Sequence, residues 1–296
     1  MIERFIEDTK KSVDFLLAFW KNNPIYFVCS LFYYLISSLL LGGKFKSFLI
    51  VFIVYVISLI IALSPLGEKL LRLLNRVRPL ETNREKEYLQ PLFDEVYDRV
   101  KEQYDNLTKI EVCVIDNMTV NAIALGKNTV AVTKGAMQTF TEEELKAVIA
   151  HEIAHLVHGD TMAYIYAIIG NGIFSVFVLL ARLCLLFFEY LQSNLTGKHS
   201  IFSAFMLLFK LYFEFCIWFM SFGFQVILSV NSRKTEFRAD KFSYLLGYDS
   251  DMIEALYLLE KISLGDNSSI IQKMTASHPR ITLRIKKLEI LDEAMK

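Results

Sequence analysis

Four long apolar blocks, separated by charged segments, constrain the fold of this chain more than any other feature. The blocks are residues 25–41, 48–66, 162–181 and 211–230. Each holds about 20 residues or slightly fewer, which is the length that a helix needs to cross the hydrocarbon core of a bilayer. Charged residues make up 22% of the chain and fall mainly between the blocks. The pattern predicts an α-helical membrane protein with about four transmembrane helices.

The composition favours contact with a lipid bilayer, and the net charge gives no support for binding to nucleic acid. The chain is 54% hydrophobic with a mean hydropathy of +0.37, whereas soluble domains are usually about 45–50% apolar. The formal net charge is zero, so nothing favours binding to nucleic acid. The four cysteines show no C-x-x-C spacing and predict no disulfide framework. The first residues do not have the pattern of a cleaved signal peptide.

The apolar blocks divide the chain into four segments. Residues 1–66 are an amphipathic lead-in followed by a two-span hairpin, and residues 161–230 form a second hairpin. Residues 67–160 and 231–296 are polar and are expected to form the two halves of one α+β domain. The hydrophobic periodicity predicts helices at 85–104, 233–246, 251–264 and 278–291, and short strands at 110–115, 121–126 and 129–133.

Positive charges predict the orientation. Lysines and arginines precede the first block and follow the second, whereas the loops at 42–47 and 191–200 carry few. The positive-inside rule then places both termini and residues 67–160 in the cytoplasm. The protein is therefore expected in the cell (inner) membrane as a multi-pass protein.

A histidine motif lies on the helix that follows the predicted strands. Thr141 and Glu144 form a capping box that opens this helix, and the sequence H-E-x-x-H follows at His151, Glu152 and His155. Residues four apart lie on one helix face, so the two imidazoles can bind one zinc ion. Glu152 lies beside them, where it can accept a proton from water. Such a pentapeptide also occurs by chance, so a third ligand is needed.

Two helices carry candidates for that third ligand. His158 lies two turns from His151 on the same helix, and one straight helix cannot easily aim side chains that far apart at one ion. Glu236 and Asp240 lie one turn apart on a later helix. One of these carboxylates can bind zinc while the other accepts a hydrogen bond from a ligand histidine. On composition alone, a solvated charged helix face explains Glu236 and Asp240 equally well.

The order of several motifs resembles the M48 metallopeptidases, in particular the HtpX-like membrane proteases. The resemblance covers nearly the whole chain. It departs from the family pattern at Ile123, His158 and Arg280, and none of these departures removes a candidate ligand. The motifs that carry it are His151-Glu152-x-x-His155 with Gly159-Asp160, Glu236-x-x-x-Asp240, Asn121-Ala122-x-Ala124-x-Gly126, and Ser277-His278-Pro279 with Arg284.

The resemblance implies a zincin-like (gluzincin) catalytic domain with one zinc ion per chain. His151, His155 and Glu236 would bind the zinc, Glu152 would be the general base, and Asp240 would support a ligand histidine. His278 would either donate a hydrogen bond to the developing oxyanion or cap the last helix. The substrate would pair with an edge strand made of Asn121, Ala122, Ile123, Ala124 and Leu125.

The function implied is a membrane-integrated zinc metalloendopeptidase. It would cleave membrane proteins or unfolded polypeptides from the cytoplasmic side, in protein quality control or a stress response. One alternative is a CaaX-type prenyl-protein protease, which usually has more spans. Another is a non-enzymatic zinc-bound membrane scaffold, which would not need Glu152. A transporter would need more polar residues within the spans.

Overall fold

The structure is a computed structural model that describes residues 24–62, 64–104, 109–195, 201–263 and 280–295. These residues are mostly helical and include one small mixed sheet, which confirms the predicted combination of helices with a few strands. They fall into two compact units. The first contains the described residues of Ile60–Ile165 and Ser229–Lys296, and the second contains Ile25–Leu59 and those of Tyr166–Leu228.

Helices dominate both ends of the described chain, and the strands lie between residues 77 and 133. In chain order the elements are α1 (Pro24–Leu40), α2 (Phe45–Ala62), α3 (Pro65–Leu74), β1 (Val77–Pro79), α4 (Asn83–Gln103), β2 (Glu111–Ile115), β3 (Ala122–Leu125), β4 (Thr129–Thr133), α5 (Lys134–Thr139), α6 (Glu142–Val157), α7 (Asp160–Leu195), α8 (Ile201–Leu245), α9 (Asp249–Ser263) and α10 (Ile281–Met295).

The sheet of the first unit has the order β1-β2-β4-β3. The two inner strands, β2 and β4, are parallel, and each outer strand is antiparallel to its neighbour. Every residue of β4 is buried, as expected for a central strand rich in β-branched residues. β3 and β4 are joined by a tight turn at Gly126, whose φ of +59° favours glycine. β3 therefore forms one edge of the described sheet.

Helices cover this sheet and complete one core. The apolar faces of α4 and α6 pack together and against the strands. α9 packs on α6 and on α10. Fully buried Leu89, Val96, Leu145, Ile149 and Leu256 mark the centre of this core. The helix that carries the histidine motif is thus held by this core.

The described part of the second unit consists of helices and the turn between α1 and α2. Its small core joins Tyr33 of α1 to Phe174 and Val178 of α7. Arg182 of α7 and Glu214 of α8 form a bidentate ion pair. The described residues of all four apolar blocks are mostly helical, but over the described ranges no helix combines the length and the apolar character needed to cross a membrane. The number of spans stays a prediction.

Three local features differ from the sequence expectations. The helix predicted at 233–246 is continuous with the preceding apolar helix, so α8 runs for 45 residues. The strand β1 was not expected, since it has only three residues and ends in Pro79. The short helix α5 directly after β4 was also not expected. His278 lies outside the described residues.

Candidate metal centre

Helix α6 is fixed at its start and along its buried face. Thr141 accepts a hydrogen bond from the backbone of Glu144, and the Glu144 carboxylate accepts one from the backbone of Thr141, which is the predicted capping box. Three glutamates in the first turn complement the positive end of the helix dipole. The apolar face then enters the core, and this orientation fixes the direction of the histidines.

His151 and His155 lie one turn apart on this helix with their rings turned toward each other. Their ring centroids are 4.9 Å apart and the ring planes are nearly perpendicular. The two Nε2 atoms are 3.3 Å apart. His151 is buried and His155 is half-buried, so both donors point into a site that is largely screened from solvent.

Glu236 from α8 completes a three-donor cluster. Its carboxylate oxygens lie 3.5 Å from His151 Nε2 and 3.6 Å from His155 Nε2. One donor atom from each of the three residues lies within 4.8 Å of the others. Ligands of a tetrahedral zinc ion, each about 2.0–2.2 Å from the metal, are about 3.3–3.6 Å apart. The observed spacings match, so this donor set can hold one metal ion.

A carboxylate fixes each imidazole from the opposite side. Asp240 Oδ1 lies 2.9 Å from His151 Nδ1, and Asp160 Oδ2 lies 2.9 Å from His155 Nδ1. Each carboxylate favours a proton on the Nδ1 that it faces, which leaves the Nε2 lone pair directed at the cluster. Two Nε2 lone pairs and a carboxylate facing one another favour a cation between them.

Two arginines neutralise these acids. Arg284 from α10 is 7% exposed and donates to both oxygens of Asp240, at 2.8 and 2.5 Å, and one of its nitrogens lies 3.2 Å from Glu236. Arg238 pairs with Asp160. Burial opposes the charged form of Asp240, yet Arg284 holds the pKa of this carboxyl below its usual range. Asp240 is therefore ionised near neutral pH in the folded protein.

The electrostatics of this cluster also favour a bound cation. Burial opposes charge on His151, but hydrogen bonds to Asp240 and Glu236 outweigh it and raise the pKa of His151 to about 10. The cluster thus holds a positive charge strongly. A bound metal ion would supply that charge and release the proton.

The remaining residues of α6 have different surroundings. Glu152 is half-buried, lies between the two histidines in sequence, and is close enough to raise the pKa of Arg284 electrostatically. His158 caps the helix C-terminus, and its Nδ1 lies 2.7 Å from the carbonyl oxygen of Ala154. The ring of His158 packs edge-on against Phe242. His158 is absent from the three-residue cluster, in agreement with the expectation that one straight helix cannot deliver it there.

The predicted substrate strand lies beside this helix. Ala122, Ile123, Ala124 and Leu125 form β3, which packs against α6 and forms an edge of the described sheet. Asn121 precedes the strand, and its backbone is fixed through hydrogen bonds to Thr133. The binding role of these five residues stays a prediction, as does the role of His278.

Three contributors to this site have contacts that the sequence does not reveal. Asp160 and Arg284 lie in motifs of the family pattern, but nothing in the sequence shows what they contact. Arg238 lies midway between Glu236 and Asp240 and belongs to no motif. One signal is present for Asp160, since it follows His155 after a turn at Gly159 (φ +74°) that returns the chain toward the helix end.

Comparison with known proteins identifies the family. The model of peptidase family M48 matches residues 83–292, which include the whole three-residue cluster and both supporting aspartates. This chain belongs to peptidase family M48. Within the family it is similar to bacterial proteases named HtpX.

Two such relatives illustrate the extent of the similarity. Protease HtpX of Xylella fastidiosa is 29% identical over 206 residues, covering 61% of this chain and 66% of the relative. Protease HtpX of Stenotrophomonas maltophilia is 32% identical over 195 residues, covering 59% and 64%. The chain thus spans about two thirds of the length of these curated relatives.

A solved structure supports the fold of this M48 member. The crystal structure of S. mikatae Ste24p matches with a TM-score of 0.54 at 20% sequence identity, covering 98% of this chain and 67% of the other. At this identity the match shows a similar fold.

Proposed function

We propose that this protein is a membrane-integrated zinc metalloendopeptidase that cleaves membrane proteins or unfolded polypeptides. The observation that carries the proposal is the convergence of His151, His155 and Glu236 beside Glu152. A structural zinc site usually has four protein ligands, whereas a hydrolytic site has three and an open position. The three donors and the adjacent carboxylate favour hydrolysis over a non-enzymatic scaffold.

His151, His155 and Glu236 would hold the metal, and the aspartates would keep the two imidazoles in the ligating tautomer. Zinc bound there would supply Lewis acidity for the scissile carbonyl and would lower the pKa of a coordinated water toward neutrality. Glu152 would accept the proton of the attacking water and deliver it to the leaving amine. The Arg284 side chain would keep Asp240 ionised throughout.

The edge strand β3 would bind the substrate. An extended peptide that adds a strand to this edge forms hydrogen bonds through its backbone, so recognition depends little on side chains. This mode suits unfolded segments and cytoplasmic loops of varied sequence. It supports a role in protein quality control.

The surface of the second unit supports a membrane location. Soluble monomers rarely expose apolar patches of more than a few hundred Å². α7 and α8 expose many large apolar side chains, which would contact lipid and which include Leu183, Phe187, Phe188, Leu208, Phe215, Trp218 and Phe219. Basic residues after the second apolar block favour a cytoplasmic position for the metal site.

The first test replaces Glu152 with glutamine in the purified protein. Glu152→Gln removes the base while keeping the size of the side chain, so cleavage of an unfolded model substrate should fall by about 10²–10⁴-fold. Zinc content, measured by metal analysis, should stay unchanged. Glu142→Gln, at the exposed start of the same helix, is the matched control. Equal cleavage by Glu152→Gln and the parent would refute the catalytic role.

The second test concerns the third ligand. Glu236→Gln replaces a charged oxygen donor with a neutral amide, so the purified protein should lose most of its zinc after dialysis. Glu254→Gln, on the exposed face of α9, should retain it. If Glu236→Gln keeps full zinc content, another group supplies the third donor.

A further inference from the structure

Helix α3 is oriented against the usual rule for a surface helix. An amphipathic helix on a soluble domain turns its apolar face inward and its charged face to water. α3 does the reverse, because Glu68 and Arg72 contact the sheet while Leu70, Leu73 and Leu74 face outward. Ser64 caps its start, Pro65 occupies the first turn, and α3 packs against β1 and β3.

Hydrogen bonds and ion pairs join the charged side of α3 to the sheet. Arg72 donates to the Thr129 hydroxyl at 2.7 and 3.1 Å and to Glu111 at 2.9 Å. Glu68 accepts from Arg72 at 2.9 Å and from Thr129 at 2.8 Å. Thr129 is fully buried at the start of β4. This network fixes the rotation of α3 about its axis.

The opposite side of α3 is a row of leucines. At about 100° per residue, Leu70, Leu73 and Leu74 point nearly opposite to Glu68 and Arg72. Their exposed fractions are 53%, 74% and 70%. Leucines at i, i+3 and i+4 form one continuous apolar face. We call these three residues the leucine face.

Two features indicate what covers the leucine face. Ile60 and Ile61 at the end of α2 are 64% and 50% exposed, so the apolar surface begins before α3 along the chain. Lys69 on α3 and Arg76 just after it are exposed basic side chains. Exposed leucines flanked by basic side chains are typical of a helix that lies in the interface of a membrane with anionic lipids.

We infer that α3 lies on the surface of an anionic bilayer, with the leucine face among the acyl chains and with Lys69 and Arg76 at the lipid phosphates. The inference rests on the proposed membrane location and not on peptidase activity. Glu68 lies 3.5 Å from the position that a Cβ on Gly126 would occupy, in the turn between β3 and β4. The lipid-bound helix thus holds the proposed substrate strand at the height of the bilayer surface.

The test places a nitroxide label on the full-length protein reconstituted in vesicles of phosphatidylcholine and phosphatidylglycerol. Cys29, Cys184 and Cys216 are replaced by alanine, and buried Cys113 is retained. Labels at Leu73→Cys and Leu74→Cys should collide more with oxygen, which concentrates in lipid, than with a water-soluble nickel chelate. The control label at Lys101→Cys, on an exposed site of α4, should show the opposite preference.

Two label results would contradict the position of α3 in the membrane. A nickel-favoured label at Leu73, as at Lys101, would overturn the inference. A label shielded from both oxygen and nickel would mean that a protein covers the leucine face, and this would also overturn it. In vesicles of phosphatidylcholine alone the labels should lie shallower. An unchanged depth there would refute the role of Lys69 and Arg76.

A second variant links the helix to substrate choice. Leu73→Ser combined with Leu74→Ser should retain zinc and should cleave a soluble unfolded protein at the parent rate. Cleavage of a membrane-embedded substrate in vesicles should fall severalfold, because the edge strand is no longer held near the bilayer. An equal loss on both substrates would indicate damage to the fold and would count against the inference. The label experiment does not require peptidase activity. If Glu152→Gln cleaved as well as the parent, the proposed function would fail, but the label measurement would still test the position of α3.

Discussion

At the scale of single residues, Asp160 offers a clean test of how the site is organised. Asp160→Asn keeps the size of the side chain and its ability to begin a helix, but it removes the charge that fixes the His155 tautomer. Replacing such a supporting carboxylate typically lowers metal affinity about 10–100-fold. We expect that loss in a chelator competition assay, which measures the zinc dissociation constant directly.

Asp98→Asn serves as the matched control for this measurement. Asp98 is exposed on α4, so its replacement should leave the zinc dissociation constant unchanged. A parent-like constant for Asp160→Asn would mean that His155 is oriented by the helix alone.

The residues of the site differ in how far the sequence reveals them. His151, Glu152 and His155 follow from helical spacing, which is a local property. Arg284 contacts Asp240 across 44 positions of sequence and approaches His151 across 133. No periodicity spans such separations, so the contacts of Arg284 depend on how α10 packs.

At the scale of elements, Gly135 controls how the chain enters β3. A Cβ on Gly135 would lie 2.2 Å from the carbonyl oxygen of Met118 and 2.6 Å from that of Thr119. Gly135→Ala should therefore displace the loop before β3 and cost about 1–3 kcal/mol of stability, as overpacking of an interior does. Denaturant unfolding measures the cost. Zinc content should persist while cleavage of extended peptides falls.

Gly172 provides the contrasting substitution. It lies within helix α7, and a Cβ there would meet nothing within 4 Å. Gly172→Ala should be neutral or stabilise the helix by up to about 1 kcal/mol. If Gly135→Ala is tolerated as well as Gly172→Ala, the entry to β3 does not depend on this close approach.

Elements were predictable where the signal is local and strong. The capping box at Thr141 and Glu144 gave the start of α6, and alternation of β-branched residues gave β2 and β4. β1 was not predicted because three residues carry no periodicity, and its pairing with β2 is a long-range contact that the sequence does not show. The continuity of α8 was not visible either, since its polarity changes along the helix while its backbone does not break.

At the scale of the whole molecule, one charge network joins elements that are distant in sequence. Arg78 of β1 donates to Glu85 of α4 at 2.7 and 3.0 Å and to Asp116 after β2 at 2.6 and 2.8 Å. Lys134 of α5 pairs with Asp116 at 2.6 Å. Glu85 is 7% exposed and also closes the capping box of α4 with Thr82. The network thus holds the sheet, α4 and α5 together.

Glu85 should give this fold a defined sensitivity to acid. The hydrogen bonds from Arg78 lower the pKa of Glu85 from 4.5 to about 2. Because the folded pKa lies below the unfolded one, its contribution is complete above about pH 4.5 and is lost as the pH falls toward 2. It amounts to about 3 kcal/mol. Glu85→Gln keeps an acceptor for the cap but removes the charge, so its free energy of unfolding should be lower near neutral pH and should approach the parent value in acid.

Urea unfolding of the two proteins across this pH range measures the difference, and Glu87→Gln, exposed on the same helix, should follow the parent. Parallel curves for Glu85→Gln and the parent would mean that the charge of Glu85 does not stabilise the fold.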